Sequence, residues 1–77
     1  MRDREIEIML DALADVMEER YMSHAGMARL LGFSPSHVSL VFAGKRRPGV
    51  RFIAAVMEQF PEIRRLLAES LDEQEDS

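Results

Sequence analysis

Gly32 is followed, after one phenylalanine, by Ser34-Pro35, and this break separates two short segments of helical apolar spacing. Glycine takes the left-handed conformation that ends a helix. Serine before proline restarts one, because the hydroxyl caps free amides and the proline ring already has a helical φ at the first position. The chain must therefore reverse within a few residues between two short helices, one over about 24–31 with Ser23 as its cap, the other over about 35–42 and closed by Ala43-Gly44. Upstream, Ile6, Met9, Leu10, Leu13, Val16 and Met17 recur at three- and four-residue steps, which predicts a helix over about 3–20. Asp3 is expected to cap it, with Glu5 and Glu7 at the positive end of its dipole. After the basic loop Lys45-Arg46-Arg47-Pro48-Gly49, a helix over about 50–59 turns Phe52, Ile53, Val56 and Met57 inward, and Pro61 opens a fifth over about 61–71. No segment alternates as a strand would. The expectation is an all-α, compact five-helix domain over residues 1–71, followed by a disordered acidic tail over 72–77.

The central pair has stricter requirements than a generic hairpin. Ala28, Gly32 and Val38 are spaced four and then six residues apart. A small residue is needed where two helices cross closely, a glycine where a side chain would obstruct the turn, and a β-branched plug where the second helix rests on the first. Met27, Leu31, Phe33 and Val41 fill the other inward positions, and all are apolar.

Charge is sorted along the chain. Between Arg20 and Met57 there is no acidic residue, while Arg20, Arg29, Lys45, Arg46, Arg47 and Arg51 supply six positive charges. Each flank carries seven acidic and two basic residues, so the net charge of −4 hides a basic centre between acidic ends. Such a centre suits a polyanion, because a nearby carboxylate would repel phosphate. Arg64 and Arg65, lying among acids, are expected to pair with them. The chain has no cysteine, which excludes disulfides and thiolate metal sites and fits a reducing cytoplasm. Two histidines are too few for a metal site. No phosphate loop, nucleophile–base set or membrane-length apolar run is present, so neither an enzyme, a cofactor nor a membrane partner is expected.

The stretch SHAGMARLLGFSPSHVSLVFAGKRRPG, Ser23 to Gly49, resembles the helix-turn-helix of phage repressor/Cro-type proteins, the XRE family. With the flanking helices the resemblance covers about residues 4–71. It implies a lambda-repressor-like fold, operator DNA as partner, a homodimer and transcriptional regulation. The second helix of the pair would then enter the major groove. Its outward positions, Pro35, Ser36, His37, Ser39 and Leu40, are the implied base contacts. This chain departs from the family there, offering hydroxyls and an apolar tip in place of long amides or basic side chains. Leu40 would pack on a thymine methyl, the alternative being a core position. His37 is either a base or phosphate contact or a solvated side chain. Implied phosphate contacts are Ser23 and His24 at the start of the first helix, Arg29, Ser34, the loop residues Lys45, Arg46 and Arg47, and Arg51. Phe60, Ile63, Leu66, Leu67 and Leu71 form an expected dimer surface. The alternative function is an antitoxin or other protein-interaction module that neutralises a partner and autoregulates its operon, for which the acidic first helix and tail would be docking surfaces.

Overall fold

The computed structural model describes residues 2–75, with side chains to Ser70. Five α-helices follow one another: α1 Asp3–Glu19, α2 His24–Leu31, α3 Pro35–Phe42, α4 Val50–Gln59 and α5 Pro61–Glu75. No strand occurs among the described residues. Helix α5 runs four residues beyond the expected end at 71, so the expected disordered tail is helical as far as Glu75, and its last two residues lie outside the described ones. No described helix is long and apolar enough to cross a membrane.

The first three inter-helix turns share one construction, which the α4–α5 junction at Phe60 (φ −129°) does not. At the end of α1 the Met22 amide donates to the Met17 carbonyl and the Tyr21 amide to that of Glu18. At the end of α2 the Phe33 amide donates to the carbonyl of Ala28, and at the end of α3 the Lys45 amide donates to that of Leu40. Each closes the last turn with a six-residue hydrogen bond and needs a left-handed residue inside it. Gly32 (φ 82°) and Gly44 (φ 75°) meet that need without strain; Tyr21 meets it at φ 54° with a full side chain. A Cβ added at Gly32 would meet nothing within 4 Å. The position demands glycine for its backbone angle, then, and not for the space that the sequence reading invoked. The starts of α2 and α3 are capped as expected: Ser23 Oγ accepts from the Gly26 amide and Ser34 Oγ from the His37 amide. Asp3 does not cap α1. The cap position is Arg2, with no side-chain bond, and Asp3 is the first helical residue.

Helix α2 packs on α3 and α4, and α5 packs on α1 and α4. Met9, Leu13, Met27, Ala28, Val38 and Val56 are wholly buried where these helices meet. Phe60, Ile63 and Leu67, at most 2% exposed, belong to the same core. This corrects the assignment of these three residues to a dimer surface, because they are covered by their own chain. Leu66 remains 43% exposed, and the side chain of Leu71 lies outside the described residues. Glu5 lies in the first turn of α1, at the positive end of its dipole as expected. It is also fully buried, one turn before Met9, and neither carboxylate oxygen has a hydrogen-bond partner among the described residues. The Arg20 guanidinium lies over the Phe60 ring, 5.6 Å from its centroid, and ties the end of α1 to the α4–α5 junction.

Candidate functional site

Helix α3 and its two neighbouring segments bring most of the singled-out residues together. Val38 and Val41 anchor α3 in the core. Because a helix repeats every 3.6 residues, this leaves Pro35, Ser36 and Leu40 outward. Pro35 and Ser36 are exposed, and Leu40 is 40% exposed and outside the core.

The other two outward candidates are engaged. Ser39 Oγ lies 2.9 Å from His24 Nδ1, the first residue of α2. The His24 ring also stacks on Phe42, with centroids 5.2 Å apart and planes 12° from parallel. The start of α2, where free amides attract anions, is thereby held against the exposed edge of α3. With Nδ1 facing the hydroxyl, Nε2 is the edge left to meet a ligand. His37 is not an outward reader. Its ring packs against Phe33 and Phe52 at 4.8 and 5.9 Å, and its Nε2 is buried without a partner. Half-buried, it bridges α3 and α4 through these ring contacts.

Lys45, Arg46, Arg47, Arg51 and Arg29 are all exposed. The Arg46 amide donates to the Leu40 carbonyl, which fixes the basic loop directly beyond the end of α3. A cavity of about 380 Å³ is lined by Arg46, Arg47 and Arg51 together with Phe33, His37 and Phe52, and no carboxylate lines it. Helix α4 opens beside it at Gly49 with no side-chain cap. On the other side of the loop one charge is met by a carboxylate: Arg47 Nη1 donates to Asp3 Oδ1 at 2.5 Å. Ser23 and Ser34 use an oxygen lone pair in capping, and their hydroxyl protons remain available to an acceptor. Arg64 and Arg65, expected to pair with acids, form no ion pair among the described residues.

Three contributors escaped the sequence reading. Phe42 is the platform for His24, Asp3 is the partner of Arg47, and Val50, 84% exposed, begins α4 beside the arginines. The regular helical pattern could have flagged Phe42, which falls one turn after Val38. Nothing in the sequence signals the Asp3 contact. Among the described residues no group of three or more acidic, histidine or cysteine side chains could hold a metal. No family model matches the chain, and no curated protein or solved structure shows significant similarity to it.

Proposed function

We propose that this protein is a sequence-specific double-stranded DNA-binding regulator of the phage repressor/Cro helix-turn-helix type, acting as a repressor. In this reading α3 lies in the major groove, Ser36 and Leu40 meet base edges, and phosphates are held by the start of α2 and by Lys45, Arg46, Arg47 and Arg51. The observation that carries the reading is the His24–Ser39 contact. It sets the anion-attracting start of α2 beside the exposed edge of α3, so that one duplex strand can meet both while the groove receives the helix. The carboxylate-free cavity beside the basic loop supports the same orientation.

Hydroxyls and a leucine discriminate bases less than long amides do, so backbone contacts supply most of the affinity. Two chains are proposed to associate on the duplex itself, because the α5 stripe is occupied within each chain. Half-sites would then lie about 34–36 Å apart, one turn of DNA. Selection of bound duplexes from a random pool tests the proposal. Enrichment of a repeated short element at one-turn spacing is the expected result. A pool that stays random, with no salt-dependent binding of any duplex, would overturn it.

A further inference from the structure

Asp3 and Glu7 stand one turn apart on α1 and line a groove of about 410 Å³ that is also lined by Lys45, Arg46 and Arg47. The acidic start of the first helix thus faces the most basic segment of the chain. The direct link is the Arg47–Asp3 ion pair, which spans 44 residues of sequence. Its side chains are 62% and 84% exposed. An ion pair so open to water does little to hold a fold together. Asp3 also makes no capping bond that would explain its place. What the carboxylate does occupy is a guanidinium donor of the kind a phosphate oxygen takes.

We infer that the Asp3–Glu7 edge of α1 is a built-in substitute for phosphate that restrains the basic loop, with Asp3 competing directly for Arg47. The inference rests on the reading of this loop as phosphate-binding. A backbone phosphate that reaches Arg47 must displace the Asp3 carboxylate and approach Glu7, so part of the attraction is cancelled. The cancelled part carries no sequence information. The device therefore lowers binding to all DNA equally and leaves discrimination to α3.

Fluorescence anisotropy of the full chain tests this with a selected duplex and a scrambled one, over a salt series. The variants are Asp3→Asn, Arg47→Gln and the double substitution, with Glu7→Gln as a variant that leaves the first residue of α1 intact. Asp3→Asn is expected to tighten both duplexes about two- to fivefold at low salt, the range one exposed ion pair spans. Its log–log salt slope should steepen by up to about one phosphate contact. In the Arg47→Gln background the gain should vanish, and Glu7→Gln should give a smaller gain of the same kind. Unchanged or weaker binding by both Asp3→Asn and Glu7→Gln, with the parent chain binding normally, overturns the inference and spares the DNA reading. An equal gain from Asp3→Asn without Arg47 overturns the direct competition. A parent chain that binds neither duplex overturns the DNA reading itself.

Discussion

Tyr21 occupies, at the end of α1, the left-handed place that Gly32 occupies at the end of α2. The hydrogen bonding is of the same kind, but the tyrosine carries a Cβ against the following carbonyl, a strain of about 1–2 kcal/mol. Its side chain is 96% exposed and contributes no burial in return. Tyr21→Gly should therefore raise stability by up to about 1 kcal/mol, the relief being reduced by glycine's greater unfolded-state freedom. Gly32→Val should do the reverse and lower it by at least about 1–2 kcal/mol, although nothing crowds the new side chain. Urea unfolding of both variants checks the pair. A stabilised Gly32→Val protein would contradict the turn geometry.

Glu5 offers a second stability test. Its carboxylate is fully buried with both oxygens unpartnered. Burial of polar atoms without a partner is costly, and a methionine fills nearly the same volume with no hydrogen-bonding demand. Glu5→Met should raise the unfolding free energy by about 1–3 kcal/mol with little change in the urea slope. A loss of stability would mean that the carboxylate has a compensating interaction.

His24 and Ser39 should act as one unit in DNA binding. Each loses the contact if the other is replaced, so His24→Ala and Ser39→Ala should be non-additive, with a coupling of about 0.5–1.5 kcal/mol on any duplex. Phe42→Leu, which removes the stacking platform, should reproduce part of the His24→Ala loss. The double-mutant cycle is read by anisotropy. Strict additivity is the result that excludes a shared role.

Leu40 and Arg46 separate discrimination from affinity. Leu40→Ala should leave the salt slope unchanged and relax preference at one base position, by at most about 1–3 kcal/mol. Arg46→Ala should weaken selected and scrambled duplexes alike and reduce the slope by about one. A reversed pattern, with Arg46→Ala affecting only the selected duplex, would assign Arg46 to a narrow minor groove read by shape.

The helix ends were legible because caps and stops are local: Ser23, Gly32, Ser34-Pro35, Gly44 and Pro61 act within a few residues of themselves. The limits of that legibility lie where distant segments meet. Periodicity marks Phe60, Ile63 and Leu67 as one stripe, but an inward stripe and an interface stripe have the same period. Glu5 shares the face of Met9 and Leu13, yet its residue type argues for water, and only tertiary packing decides the matter. The resemblance implies an outward His37, whereas its ring packs on those of Phe33 and Phe52, which local sequence does not signal. The basic window lacks acids along the chain but not in space, because Asp3 reaches it from outside the window.

The burial of Phe60, Ile63 and Leu67 within one chain also bears on dosage. In the proposed reading these three side chains take no part in pairing, and two chains associate where a duplex holds them side by side. Under the proposed function, occupancy of a two-part site then climbs with roughly the square of protein concentration at low occupancy. A fall in the cellular amount of such a regulator would then lower occupancy more than in proportion, a steeper response than one chain on one site would give.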